Sequence, residues 1–82
     1  MAKILYFSTL VDKVGASSEE VALPESVTDV RTLLAWLRAR GGDWDKALKE
    51  DAVQVTVNRQ FAEVGTTVND KMEIAIVPMR AG

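Results

Sequence analysis

The sequence predicts an α+β fold, a mixed sheet with one main helix laid across one face. Three observations carry this. Alternating, β-branched stretches stand at both ends of the chain, one strong run at helical spacing lies between them, and the connections are short. The order reads β-β-α-(short α)-β-β, in a chain of 82 residues that has room for one domain.

Residues 3–9 are rich in aromatic and β-branched side chains and read as the first strand. Ile4, Tyr6 and Ser8 share one face; Lys3, Leu5, Phe7 and Thr9 share the other. Apolar residues on both faces mark a central strand. Residues 10–18 contain Asp12, Gly15, Ser17 and Ser18 and read as a loop. Residues 19–23 alternate, with Val21 and Leu23 inward, as a second strand that Pro24 stops. Ser26 and Asp29 match a capping box with Ser26 at the N-cap. Val27, Val30, Leu33, Leu34 and Leu37 then recur at helical spacing, and Gly41-Gly42 supplies a left-handed stop. Residues 43–49 fit a short helical segment with Trp44, Ala47 and Leu48 turned inward. Residues 52–57 alternate, with Val53, Val55 and Val57 on one face. Asn58-Arg59-Gln60 reads as a turn, Phe61-Ala62 as a brief edge pairing, Asn69-Asp70 as another turn, and Met72 onward as the last strand. Pro78, without an N–H, ends regular pairing.

With short connections, the first and last strands lie side by side and parallel in the centre, as in a β-grasp fold. The domain then covers residues 1–78, and residues 79–82 form a flexible tail. The inward set is Ile4, Tyr6, Val21, Leu23, Val30, Leu33, Leu34, Leu37, Val53, Val55, Val57, Ile74 and Ile76. A buried strand feeding a short tail that ends in glycine points to the tail as the working part and the domain as its rigid handle.

Composition narrows the chemistry. Cysteine and histidine are both absent, which removes thiol nucleophiles, thiolate and imidazole metal ligands, and the commonest general base. No metal site is expected. The net charge of −2 and the lack of a basic aromatic face argue against a nucleic-acid partner. No apolar run approaches a membrane span and no signal-peptide pattern is present, so the expectation is a cytoplasmic protein without a membrane partner. A stand-alone enzyme is disfavoured. The acids Asp12, Glu19, Glu20, Asp43, Asp45, Glu50 and Asp51 read as solvated surface, and Trp36 and Trp44 as packing residues.

Four stretches together carry a family resemblance: Lys3-Ile4-Leu5-Tyr6-Phe7 followed by Val14-Gly15, the Val55-Thr56-Val57-Asn58 segment, the Asn69-Asp70 turn, and Glu73-Ile74-Ala75-Ile76-Val77-Pro78. In order and spacing they resemble the small subunit of molybdopterin synthase, a ubiquitin-like β-grasp sulfur carrier. The resemblance implies that the terminal glycine carboxylate is adenylated by a ubiquitin-activating-like adenylyltransferase, which consumes ATP. Sulfur then replaces AMP to leave a thiocarboxylate. The large subunit takes the tail into its active site, where the sulfur passes to a cyclic pterin precursor in molybdenum cofactor biosynthesis. Two carriers flank a dimer of large subunits, a heterotetramer. The carrier binds no cofactor of its own.

One departure falls on the tail. The family ends Gly-Gly, whereas this chain reads Pro78-Met79-Arg80-Ala81-Gly82. Either a further glycine follows, or Gly82 is itself the reactive residue with Ala81 where glycine is usual. The resemblance implies that Met79, Arg80 and Ala81 insert into the partner. Four residues past Pro78 reach at most roughly 13–14 Å. Glycine suits such a narrow channel because it has no side chain and tolerates φ values that others avoid.

Leu5, Phe7, Phe61 and Val77, with Met79, form a candidate apolar partner interface beside the tail. Burying four such side chains yields roughly 6–12 kcal/mol gross. Association costs about 4–15 kcal/mol, so the patch alone binds modestly. The same patch allows a homodimer of the isolated chain. Related carriers for thiamine, cysteine or tungsten-cofactor synthesis, or a protein-conjugating modifier, share this tail chemistry. A plain binding module with an inert tail is the reading from another class.

Overall fold

Strands from the two ends of the chain meet at the centre of the sheet. The computed structural model describes residues 1–79. Strand β1 (Ala2–Tyr6) pairs in parallel with β5 (Glu73–Pro78), placing Ile4 opposite Ile74 and Tyr6 opposite Ile76. On its other side β5 runs antiparallel to β3 (Val53–Val57), with Val55 opposite Ile76. The edges are β2 (Ser18–Val21) beside β1 and β4 (Gln60–Ala62) beside β3, giving the order β2-β1-β5-β3-β4. Helix α1 (Thr9–Val14) follows β1, and α2 (Val30–Arg38) and α3 (Asp43–Ala47) lie between β2 and β3. This is the expected mixed-sheet β-grasp arrangement.

The core lies between the sheet and α2. Val30, Leu33, Leu34 and Leu37 meet Ile4, Tyr6, Val53, Val55, Val57, Ile74 and Ile76, all buried. Val21 and Leu23, expected inward, are only half-buried and flank this cluster. Leu10, Leu48 and Val68 are buried with it.

Several boundaries differ from the sequence reading, each for a physical reason. The first strand stops at Tyr6 rather than Thr9, and residues 10–14, expected as loop, join Thr9 in α1. Ser8 turns the chain at φ 58°, ψ −134°, which carries Leu10 under the sheet and into the core. The second strand runs Ser18–Val21 rather than to Leu23, because the Leu23 N–H is taken by Asp70 Oδ1 at 2.7 Å. The main helix is capped by Asp29, not Ser26. Asp29 accepts from the Thr32 N–H at 2.8 Å, and Thr32 Oγ1 accepts from the Asp29 N–H at 3.0 Å. The start is fixed from outside the helix: Val30 and Arg31 donate to the carbonyls of Thr66 and Val64 at 3.0 and 2.9 Å, satisfying N–H groups that a helix start leaves open. That helix ends on Ala39 in ordinary right-handed geometry. Gly41 (φ 83°) and Gly42 (φ 58°) form the turn that follows, and Gly42 opens α3.

Pro78 does not end the pairing. It lies in β5 opposite Val53, and the next residue, Met79, donates its N–H to Ala52 O at 2.8 Å. Glu73, an odd position like Met79, is bonded to β3 through Asn58, whereas Ile76 O, at an even position, accepts from Phe7. The alternation turns the Pro78 nitrogen toward the β1 side, where β1 has already stopped at Tyr6. A missing donor costs nothing there.

Candidate functional site

The face of the sheet away from α2 holds the candidate site. Residues opposite one another in a ladder share a face. Leu5 pairs with Ala75, Ala75 with Thr56, and Thr56 with Phe61, so these four form one row across four strands. Leu5, Phe7 and Val77 come together around a shallow concavity of about 530 Å³, whose remaining lining is Thr56, Arg59, Glu73 and Ala75. Phe61 stands on the same face at its edge and is 83% exposed. Phe7 and Met79 are about half exposed, and Leu5 and Val77 half-buried. The four residues predicted as an interface therefore do share one surface, and Met79 continues β5 at its end. Arg80, Ala81 and Gly82, expected to insert and react, lie outside the described residues.

Thr56, Arg59, Glu73 and Ala75 were not singled out from the sequence. Strand parity points to Thr56, Glu73 and Ala75, since each lies a whole number of two-residue steps from a named outward residue or its ladder partner. Arg59, in the turn, had no such signal, and its partner there is Glu73. They meet across the β3–β4 turn, Arg59 Nε at 3.7 Å from Glu73 Oε1, an exposed pair of small energetic value. The turn itself is built for two consecutive left-handed residues, Asn58 at φ 51° and Arg59 at φ 70°, the geometry that matches strand twist in a tight hairpin. Asn58 also holds the start of β5. Its N–H donates to Glu73 O at 2.8 Å, and its Oδ1 accepts from the Glu73 N–H at 3.0 Å.

The covered side carries the main charged contact. Glu19, expected as solvated surface, is half-buried. It accepts from the Tyr6 hydroxyl at 2.9 Å and from both terminal nitrogens of Arg40 at 3.0 and 2.8 Å. The Arg40 guanidinium lies 4.4 Å from the Trp44 ring centroid and 5.5 Å from that of Trp36. Trp44 meets Tyr6 edge-on at 5.5 Å. The Arg40 hydrogen bonds hold the Glu19 carboxyl below its ordinary range despite partial burial. Burial, then the bond to Glu19, pushes the Tyr6 hydroxyl up. Arg40 is raised in turn by its bond to Glu19. Every partner in this cluster is engaged, which marks it as a tie between β2, α2 and α3 and not as an acid–base pair.

Among the described residues, no three Asp or Glu side chains group as a metal site would require, and no helix is long and apolar enough to cross a membrane. Among the described residues, the concavity on the open face is shallow and open to solvent. The geometry offers an apolar face and a chain that leaves that face from a strand fixed on both sides.

The chain is similar in structure to a Pyrococcus furiosus protein named as molybdopterin converting factor subunit 1, with a TM-score of 0.78 and 24% identity over 96% of this chain and 97% of that one. It is similar also to SAMP1 from Haloferax volcanii, with a TM-score of 0.75 and 18% identity over 99% and 97% of the two chains. A chain of the Amycolatopsis orientalis BexX/CysO complex matches with a TM-score of 0.70 and 20% identity over 100% and 99%. At these identities the likeness is one of fold. No curated protein matches the sequence. The ThiS family model, however, matches residues 4–82, nearly the whole length, and on that ground the chain belongs to the ThiS family of β-grasp sulfur carriers.

Proposed function

We propose that this carrier is the small subunit of a molybdopterin synthase, and that its terminal glycine carries the sulfur as a thiocarboxylate. The observation that supports it most is the position of β5. It is paired on both sides, it ends beside the apolar concavity, and Met79 is still bonded to Ala52 as the chain leaves. A carboxylate is a poor electrophile until it has a good leaving group. An adenylyltransferase supplies one: a carboxylate oxygen displaces pyrophosphate from ATP, and sulfur then displaces AMP from the acyl carbon. The carrier's part is to present that carbon at a fixed distance from a docking surface, and Met79, Arg80 and Ala81 are the residues that enter the partner. Leu5, Phe7, Phe61 and Val77 dock first on the activating enzyme and then on the large subunit, in the cytoplasm. The likeness to the Pyrococcus furiosus protein favours the molybdenum pathway. The likenesses to SAMP1 and to the BexX/CysO chain favour, as the second reading, a carrier serving another acceptor through the same tail chemistry.

The test is the intact mass of the purified chain, before and after incubation with ATP, a sulfur donor and the cognate activating enzyme. The starting mass distinguishes an end at Gly82 from one glycine later. A gain equal to one oxygen exchanged for sulfur, localised to the last residue, is expected. No gain on a folded, complete chain overturns the proposal in favour of an inert-tailed binding module. Transfer from the loaded carrier to a pterin precursor, with the large subunit present, separates the two pathway readings.

A further inference from the structure

We propose that Arg38 is a positioning residue for the tail: through the turn at residues 48–52 it holds the carbonyl that aims the chain as it leaves the sheet. Carried one step past Val53 and Pro78, the β3–β5 register sets Ala52 opposite Met79. Opposed residues in such a rung of an antiparallel ladder exchange two hydrogen bonds. Met79 donates to Ala52 O at 2.8 Å, but the Ala52 N–H is turned the other way, to Lys49 O at 2.9 Å. Among the described residues, the last rung before the tail is thus a single bond. The direction of Met79 follows the position of one carbonyl.

That carbonyl belongs to a turn as much as to a strand. The bond from Ala52 to Lys49 closes a four-residue turn with Glu50 and Asp51 at its corner. The turn is rooted in Leu48, which is fully buried and whose carbonyl accepts from Arg38 Nη1 at 2.9 Å. Arg38 is the half-buried last residue of α2, so its charged donor is fixed by a helix packed on the sheet. Seven residues back, two turns along the same side of α2, Arg31 meets Glu50 at 3.3 Å. That pair is exposed and contributes little, which leaves Arg38 as the main attachment. Three hydrogen bonds in series run from α2 to the tail: Arg38 to Leu48, Ala52 to Lys49, and Met79 to Ala52. The functional consequence rests on the carrier reading above. An acyl carbon that must meet ATP in another protein loses rate when its approach is displaced by about an ångström, while docking through the open face is untouched.

The experiment compares wild type, Arg38→Met and Arg38→Lys as full chains. Arg38→Met keeps the apolar stem and removes the donors, whereas Arg38→Lys keeps a charged donor for a single acceptor. The through-hydrogen-bond scalar coupling between the Met79 nitrogen and the Ala52 carbonyl carbon reads the last rung directly. It is expected in wild type, lost in Arg38→Met and recovered in Arg38→Lys, with couplings in the middle of the β3–β5 ladder unchanged in all three. A residue that merely capped α3 would lower the unfolding midpoint and leave the Met79 coupling in place. Pyrophosphate release with ATP and the cognate activating enzyme gives the second readout. Arg38→Met lowers kcat about tenfold with KM unchanged, and Arg38→Lys restores it. A glycine inserted between Glu50 and Asp51 breaks the same series with Arg38 in place and gives the same two losses, which covers the case of an Arg38→Met chain that does not fold. A Met79 coupling retained in Arg38→Met or in the insertion variant, or lost with kcat unaltered, overturns the proposal. A wild type that releases no pyrophosphate overturns the carrier reading alone, and the coupling comparison still decides whether Arg38 holds the tail.

Discussion

On the helix side of the sheet, β1, β3 and β5 present Ile4, Tyr6, Val53, Val55, Val57, Ile74 and Ile76, none more than 8% exposed. One residue along on the same strands, the open side presents Leu5, Thr56, Ala75 and Val77, half-buried, with Phe61 projecting from the edge. Both faces carry apolar side chains, but among the described residues only the helix side is covered by another part of the chain. The covered face determines whether the domain folds, and the open face determines what it meets. Substitutions on the two sides should therefore separate stability from association.

The largest expected effect tests the covered face. Ile76→Ala, at the fully buried crossing of β1, β5 and β3, should cost about 2–5 kcal/mol in denaturant unfolding, from lost burial and the cavity left behind. Next comes the charged tie on that side. Arg40→Ala removes the two-pronged bond to Glu19 and the stacking on Trp44, for a loss of about 1–2 kcal/mol. This contribution depends on pH in a definite direction. The folded Glu19 carboxyl titrates below its unfolded counterpart, so its stabilisation is full above the ordinary carboxylate range and is lost as pH falls through the lowered value. The stability gap between wild type and Glu19→Gln should be constant near neutrality and close on acidification. A gap that widened in acid would refute the assignment.

Ser8 is the hinge between the faces, turning the chain from Phe7 on the open side to Leu10 in the core. Its φ of 58° is left-handed, the same geometry that Gly42 adopts before α3. Ser8→Gly should relieve strain and raise stability by about 1 kcal/mol, read as a higher thermal midpoint. The smallest effect on stability belongs to the open face. Phe61→Ala should leave unfolding within about 0.5 kcal/mol of wild type. A larger loss would show that the open face also contributes to holding the fold, and would break the comparison.

The covered face was readable from the sequence because burial imposes a period. The Val53–Val55–Val57 alternation and the Leu33–Leu34–Leu37 stripe placed β3 and α2 without tertiary information. The same parity gave Leu5, Phe7, Val77 and Phe61 to one surface. What the sequence hid were contacts set at a distance. Asp29 prevails over Ser26 as helix cap because residues 64–68 bring carbonyls to Val30 and Arg31. Glu19 looked like surface because its cation, Arg40, lies 21 residues away. Helix α1 is six residues long, and its anchors Leu10 and Val14 flank the polar Asp12-Lys13, which read as loop.

The parallel pairing of β1 with β5 has a mechanical consequence. A partner that grips the chain beyond Pro78 and pulls drags β5 along its own axis, between β1 on one side and β3 on the other. Such a load falls in shear on four register positions with β1 and five with β3 together, whereas a strand peeled from an edge surrenders its bonds one at a time. Tension on the tail is therefore borne by the whole centre of the sheet, and a bound tail can be drawn taut without unravelling the domain behind it.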